Sequence, residues 1–553
     1  MDHHPLRPDG RRPAAMVVLA CLALGSGAGL AVGLAGRPTT DGPDEGRALS
    51  AAEARRLAAM RVTNYRDGRA GLRATLGPPE GPTRLTGWVD WNRALIYLSV
   101  TGPGTAVAHG LIQAVPGLIA SRPDPTARTD AGDPGPLPAG PGGGTDRPTD
   151  GPAAGPGTEP AVPPIEPPAD GWRIRRPDPG GARPEPIDTL VALLFGVATD
   201  RPDPVDGLAD GPARWLGRDR AAGTAVDVLR GPAAGPTAGG TPGPAPLSAV
   251  GGTVRYWLDD DARLHRLAAV LPGGLPLAVD LDRSARPELI ATAGLGGRPV
   301  RPRAVTNAEA DQLAGLRPTN RARGGARVSL TVPTVPAANL RGSGWLDWRT
   351  GVAYLAVGDR DDPARTRLLR ADRAGVADRP APAPTPPAGT VGGSPGPHSR
   401  TGPAPGPRPS AGPGSAGAAR DGVPASPPLP PPTERAWTFT SWQRRADARG
   451  GLDLDLLVNE ALSCGGRAAA DPVELRSSAV WLRGDTIAGR PVSVFEMPKP
   501  AEAGEPPGQA RLRYWVDGGG LLRRLELRTR IGAFAQLDLD PGPVPWISPV
   551  PLD

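Results

Sequence analysis

The sequence predicts an α+β protein in which an antiparallel sheet with helices on one side is built twice, in tandem. Three observations predict it. The first is a long internal repeat. Gly87-Trp88-Val89-Asp90-Trp91 returns as Gly344-Trp345-Leu346-Asp347-Trp348, 257 positions later. Trp215-Leu216, Asp219, Gly223 and Val226 return as Trp481-Leu482, Asp485, Gly489 and Val492, and Arg255-Tyr256-Trp257-Leu258-Asp259 returns as Arg513-Tyr514-Trp515-Val516-Asp517. A period this long marks a duplicated domain rather than a solenoid unit. The second is strand alternation. Leu525 and Leu527 alternate with Arg524, Glu526 and Arg528, and Leu277, Val279 and Leu281 with Ala278, Asp280 and Asp282. That is the pattern of a sheet with one buried and one wet face. The third is order: each block reads helix, strands, helix, strands, which sets the helices to one side of a curved sheet.

In each block the first helix is signalled by its cap. Ser50 with Glu53, and Thr306 with Glu309, form capping boxes. Leu57 and Met60, then Leu313 and Leu316, follow at helical spacing, so helices run to about Asn64 and Asn320. Strands follow at 71–76, 84–91, 94–100 and 110–119, with counterparts at 326–332, 340–348, 351–357 and 366–370. Each block is then interrupted by a Pro/Gly tract with almost no large apolar residue. Such tracts bury too little surface to offset backbone ordering, about 1–2 kcal/mol per residue, and read as disordered loops. Past the tracts, Trp172 and Trp437 open the second half of each block, and helices follow at 187–198 and 452–462. Asp259-Asp260-Asp261 and Asp517-Gly518-Gly519-Gly520 read as hairpin turns.

The resulting plan is a tail at 1–12, an anchor at 13–36 and a linker at 37–48. A first domain follows at 49–294, with insertions at 123–169 and 231–246, and a second at 305–545, with an insertion at 380–432. Arg7, Arg11 and Arg12 precede an uncharged run from Pro13 to Gly36. About 20 such residues span a bilayer as a helix, and the preceding positive charge keeps the N-terminus cytoplasmic. The expectation is a single-pass signal anchor in the plasma membrane with the bulk of the chain extracytoplasmic. Two alternatives stay open: a cleaved signal with small-residue sites near Gly33 or Ala35, and lipidation at Cys21, where Val18-Leu19-Ala20-Cys21 approximates a lipobox.

Composition narrows the function classes. The 77 glycines and 74 prolines reach the share at which disorder is expected, while 12 of the few aromatics are Trp, concentrated in the two blocks. Net charge is +6, but the basic residues are dispersed among acids and include one lysine, Lys499. No cationic stripe is present, so no nucleic-acid partner is expected. Cys21 and Cys464 lie far apart, which argues against a disulfide and against a cysteine zinc site.

The second half of each block resembles the LolA/LolB lipoprotein-carrier superfamily, in particular its actinobacterial LppX/LprG-type lipoproteins. The residues that carry the resemblance are Trp172 and Trp437 before a helix, then Asp219 with Gly223 and Asp485 with Gly489. An alternating strand follows each pair, then Tyr256-Trp257-Leu258-Asp259 and Tyr514-Trp515-Val516-Asp517. The resemblance implies half-barrels whose helices and concave face enclose an apolar cavity for an acylated lipid or lipoglycan. Stress sensors of the same fold bind regulatory proteins instead, so a non-catalytic envelope sensor or interaction module is the alternative. The resemblance also implies that Asp219 and Asp485 are turn carboxylates fixing the hairpins before Gly223 and Gly489.

Alternation puts Trp91 and Trp348 on the face opposite Trp88 and Asp90. With Leu193, Leu194 and Leu457 on the helices, they are the candidate cavity lining. Catalytic chemistry is not evident. His3, His4, His109, His265 and His398 lack counterparts, Cys464 and Ser477-Ser478 have no nearby base, and no phosphate, dinucleotide, zinc or calcium motif occurs. Asp453 with Asp455, and Asp538 with Asp540, read as solvated strand edges. The expectation is a non-enzyme without cofactor or metal that binds an acyl chain. Burial yields about 0.8 kcal/mol per methylene, on the order of 12 kcal/mol for sixteen carbons before ordering costs.

Overall fold

The computed structural model describes residues 46–104, 106–124, 162–233, 253–334, 339–381, 437–447, 452–497 and 512–547. The expected anchor, Cys21 and most of both long insertions lie outside them. The described residues gather into one unit.

In the first half, β1 (Arg47–Ala48) leads into α1 (Ala51–Asp67). There follow β2 (Arg69–Leu76), β3 (Thr83–Asp90), β4 (Leu95–Thr101), β5 (Gly110–Val115), β6 (Leu118–Pro123) and β7 (Arg173–Arg175). Two helices, α2 (Pro186–Gly196) and α3 (Asp206–Ala209), precede β8 (Arg214–Ala221), β9 (Thr224–Pro232), β10 (Thr253–Leu258), β11 (Leu264–Leu271) and β12 (Leu275–Asp282). The second half opens with β13 (Arg303–Ala304) and α4 (Asn307–Arg323). It continues with β14 (Gly325–Pro333), β15 (Asn339–Asp347), β16 (Val352–Asp359), β17 (Arg367–Ala371), β18 (Gly375–Pro380) and β19 (Thr438–Ser441). Helices α5 (Trp442–Asp447), α6 (Leu452–Ser463) and α7 (Pro472–Ser478) come next. The half closes with β20 (Val480–Ile487), β21 (Arg490–Met497), β22 (Leu512–Asp517), β23 (Leu522–Arg528) and β24 (Phe534–Gly542).

These strands form two 12-stranded antiparallel sheets, consistent with two half-barrels. The first runs β1-β8-β9-β10-β11-β12-β2-β3-β4-β5-β6-β7, and the second repeats that order position for position from β13 to β19. Both helix starts carry the expected capping box: Ser50 Oγ accepts from Glu53 N, and Thr306 Oγ1 from Glu309 N. The residue pair just upstream adds to it. Arg47 and Arg303 each grip that glutamate with two hydrogen bonds of 2.6–2.8 Å. The expected linker therefore ends inside the sheet, at β1.

The repeated Gly-Trp step has a steric cause. A Cβ on Gly87 would stand 2.0 Å from Tyr97 O, and one on Gly344 2.0 Å from Tyr354 O. Only glycine lets β3 and β15 lie this close to their neighbours. One main core lies between each sheet and its helices, with Leu57, Leu190, Leu194 and Leu267 in the first half and Leu313, Leu457, Leu525 and Leu537 in the second. Burying each such side chain stabilises by roughly 1.5–3 kcal/mol.

The opposite faces are not simply wet. Trp88, Tyr97 and Trp172 pack ring to ring across the outer face of the first sheet, as Trp345, Tyr354 and Trp437 do on the second. On β23, Glu526 is 2% exposed rather than solvated. The cover is the connection between the halves. Leu289 and Ala291 join Ile531 and Ala533 in one cluster, Arg513 Nη1 donates to Gly296 O at 3.4 Å, and Arg483 Nη1 donates to Arg298 O at 2.9 Å. The strand expected over 110–119 is instead the hairpin β5–β6, turned at Pro116-Gly117 with Gly117 at φ 81°. A Pro-Gly pair is the turn signal that a continuous apolar reading passed over.

Candidate functional site

Trp91 and Trp348 pin helix ends to the sheet. They are 5% and 0% exposed. Trp91 Nε1 donates to Leu194 O at 2.9 Å and Trp348 Nε1 to Ala461 O at 3.0 Å, so each indole ties the last turn of α2 or α6 to the sheet. Asn64 on α1 and Asn320 on α4 tie those helices to the next turn, donating to Val197 O at 2.7 Å and Cys464 O at 3.1 Å. These bonds satisfy carbonyls left open at a helix C-terminus. Leu193, Leu194 and Leu457 are all 0% exposed and belong to the packed core.

Among the described residues of the first half, a cavity lies between α1, α3 and the β9–β10 end of the sheet. Its volume is about 220 Å³, and its wall includes Leu57, Met60, Leu208, Pro232, Ala233 and Tyr256. None of the five expected lining residues is in that wall. Helical spacing on α1 marks Leu57 and Met60, but Leu208 and Ala233 come from a one-turn helix and a strand end, which carry no periodic signal.

Two polar side chains besides Tyr256 reach the cavity, Arg61 and Asp203. Arg61 is 3% exposed, and its Nη1 donates to Asp203 Oδ1 at 2.9 Å. The main chain of 199–203 docks onto α1 through Thr199 N to Arg61 O at 3.2 Å and Asp203 N to Ala58 O at 3.0 Å. Tyr256 donates its hydroxyl to Pro232 O at 2.9 Å, and burial pushes its phenol well above the ordinary value.

The matching place in the second half is built differently. Ala470 N donates to Ala314 O at 3.1 Å, the same docking bond, but alanine stands where the first half has Asp203. Arg317, at the helical place of Arg61, is exposed. Tyr514 donates to Glu460 Oε1 at 2.5 Å, and buried Cys464 lies beside them, its thiol pushed up to about 12 by burial and by Glu460. A thiol so raised is protonated and unreactive.

The repeated aspartates have defined partners near the hairpin turns. Gly223 and Gly489 do have positive φ, 82° and 77°, following Ala222 and Ala488 at 49° and 48°. Asp219 and Asp485 each accept the backbone N–H of the next residue, Arg220 at 2.7 Å and Thr486 at 2.8 Å, just ahead of those turns. Asp219 accepts Trp257 Nε1 at 2.9 Å and Asp485 accepts Arg483 Nε at 3.1 Å. The turn carboxylates are Asp259 and Asp517, whose Oδ1 atoms accept two backbone N–H groups each at 2.9–3.0 Å. Their Oδ2 atoms meet His265 at 2.9 Å and Arg523 at 2.6 Å, which places His265 in a structural pair. Asp453 and Asp455 are buried in the first turns of α6, not on a solvated strand edge. Among the described residues, no group of three or more His, Cys, Asp or Glu is placed to hold a metal ion, and no helix is long and apolar enough to cross a membrane.

No family model and no curated protein matches the sequence. Solved structures do. The chain is similar to the Mycobacterium tuberculosis lipoprotein LppX at 11% identity, covering 44% of this chain and 99% of that one, with a TM-score of 0.24. It is also similar to MucB at 15% identity, covering 55% and 76%, with a TM-score of 0.19. The MucA/MucB complex of Pseudomonas aeruginosa gives 11%, 58%, 87% and 0.18. At TM-scores this low the likenesses carry no weight for ligand or partner.

Proposed function

We propose that this chain is a membrane-tethered, extracytoplasmic, non-enzymatic protein. Its two halves arose by tandem duplication within a LolA-like, LppX/LprG-type lineage. Its first half holds the end of an acyl chain or a similar hydrophobic group. The observation that supports this reading is the 220 Å³ cavity with a mainly apolar wall under α1 and α3. That volume is below the roughly 300–1,000 Å³ of drug-sized sites. It suits a short chain or a chain end, not a whole sixteen-carbon tail.

The test is mass spectrometry of the full chain purified from native membranes, with binding of a fluorescent acyl probe measured in parallel. A co-purifying acylated species and a probe displaced by the Leu208→Trp substitution are the expected results. Absence of both overturns the reading. External protease acting on intact cells tests the tether: cleavage of residues beyond 46 from outside is expected.

The second half supports a different use. Its matching position is occupied by Glu460, Tyr514 and Cys464. We assign it the role of a scaffold or protein-interaction module, which cross-linking of the full chain in its envelope would check. A partner captured only through the first half would count against it.

A further inference from the structure

We propose that the outer face of the first sheet, over β8 to β12, is a docking surface, and that its occupant is this chain's own segment Gly33-Leu34-Ala35-Gly36-Arg37-Pro38. The proposal is independent of the cavity.

The second sheet shows what such a face carries. Residues 296–301 are held on its outer side. Arg513 Nη1 donates to Gly296 O at 3.4 Å, Arg483 Nη1 to Arg298 O at 2.9 Å, and Arg301 N to Leu482 O at 2.8 Å. A Cβ on Gly296 would stand 3.6 Å from the Phe534 ring. On the same face Leu482, Val494 and Trp515 are 2%, 0% and 1% exposed. The matching face of the first sheet is open. Leu216, Val228 and Trp257, at the places of Leu482, Val494 and Trp515, are part-exposed, and Pro276, at the place of Phe534, is exposed. Val270, paired with Pro276, is 55% exposed. The first face is also the more apolar. Ala268, Val270 and Ala278 stand where the second has Glu526, Arg528 and Gln536. Contiguous apolar surface open to water marks an interaction site.

The occupant is named by sequence. Gly294-Leu295-Gly296-Gly297-Arg298-Pro299, the segment held on the second sheet, differs from residues 33–38 at one position only. Both precede a leading helix that opens with a capping box, at Thr306 and at Ser50. Residues 33–38 lie outside the described residues. Arg37 comes ten positions before Arg47, and Arg298 five before Arg303, so the chain reaches the face with slack. The first face keeps one of the two arginines that grip the segment: Arg255 stands at the place of Arg513, while Gly217 replaces Arg483. Ala35 takes the place of Gly296, whose φ is 106°; the chain already turns through positive φ on alanine at Ala94, Ala222, Ala262 and Ala488. The docked segment holds the first half close to the tether proposed above. That consequence rests on the tether; the docking does not.

The test uses the full chain carrying Cys21→Ser, so that the one native thiol left is buried Cys464. Ala35→Cys with Pro276→Cys copies the contact of Gly296 with Phe534. Under mild oxidation this pair is expected to form a disulfide at least about tenfold faster than Ala35→Cys with Val473→Cys, an exposed site on the other half. A second readout is labelling of Pro276→Cys alone by a maleimide. It is expected to run at least about tenfold slower than in the same chain with residues 33–38 replaced by Gly-Ser repeats. That replacement alters none of the described residues, so it leaves the fold intact. Equal cross-linking of the two pairs, or labelling that the replacement does not change, overturns the proposal. So does a purified chain whose mass places its N-terminus beyond Arg37, since the occupant is then gone. Neither readout depends on the acyl probe or on the protease test of the tether.

Discussion

In the first half Arg61 is buried against Asp203; in the second, Arg317 at the same turn of the leading helix stands in solvent, because residue 470 is alanine. The surroundings follow that difference. A one-turn helix, α3, leaves a cavity beside the pair. At the matching place α7 runs for seven residues, with Asp471 capping Val473 N at 2.8 Å. Two halves with one strand order thus differ at this wall, where a buried charge pair in the first half is replaced by an exposed arginine and an alanine in the second. Scaffold and site are separable in this fold.

The first way to break the comparison is through the shared pins. Trp91→Ala and Trp348→Ala each remove a buried indole and its bond to a helix end. Each is expected to destabilise its own half by about 3–5 kcal/mol. Urea unfolding followed by hydrogen exchange would locate the loss, and an effect in only one half would deny that the pins are equivalent. Next, Asp203→Ala strands a buried guanidinium and is expected to cost roughly 3 kcal/mol. Ala470→Asp beside exposed Arg317 is expected to change stability by less than about 1 kcal/mol. Equal effects would erase the distinction.

The two halves also differ in how pH acts on them. Burial raises Glu526 from 4.5 to about 7, against the pull of Arg524, Arg513 and Arg483. The folded state therefore keeps a proton that the unfolded chain releases. Stability from this group is full below about pH 4.5 and is lost as pH rises through about 7, by up to roughly 3 kcal/mol. Glu526→Gln is expected to flatten that slope in the second half and leave the first unchanged.

Glu53 and Glu309 behave oppositely and alike. Arg47 and Arg303 hold them down at about 2. Their contribution is present above about pH 4.5 and lost as pH falls toward 2. Glu53→Gln and Glu309→Gln should each cost about 1 kcal/mol at neutral pH, by thermal melts, and nothing near pH 2. The smallest expected effect is a gain. Ala222→Gly and Ala488→Gly relieve positive φ at both hairpins, and each should add roughly 0.5 kcal/mol.

Much of this was legible in sequence because it repeats or is local. Capping boxes, alternating leucines and the positive-φ glycines all write their signal within a few residues. The repeat also marked Trp91 and Trp348 as mattering, but alternation says only which face a residue takes, not whether a helix end waits there to accept the indole proton. The cavity was illegible for a related reason. Its wall joins α1 to Leu208 and Ala233, far along the chain, and Arg61 gives no sign of burial until Asp203 is brought beside it. Glu526 was misread because nothing in a Leu-Arg-Arg-Leu-Glu-Leu strand reveals that it will be buried beside Arg513 and Gln536.

That covering segment has a practical consequence for anyone who wishes to cut the molecule in two. The obvious cut, just before the second capping box at Thr306, would strip the Gly296 and Arg298 carbonyls from the second sheet and part Leu289 and Ala291 from Ile531 and Ala533. Arg483 and Arg513 would lose their carbonyls. The piece that carries the second half begins upstream of Leu289, and the first half, ended there, exposes Tyr97 and Trp172 in return. The peptide joining the halves is shared property, and neither fragment is whole without it.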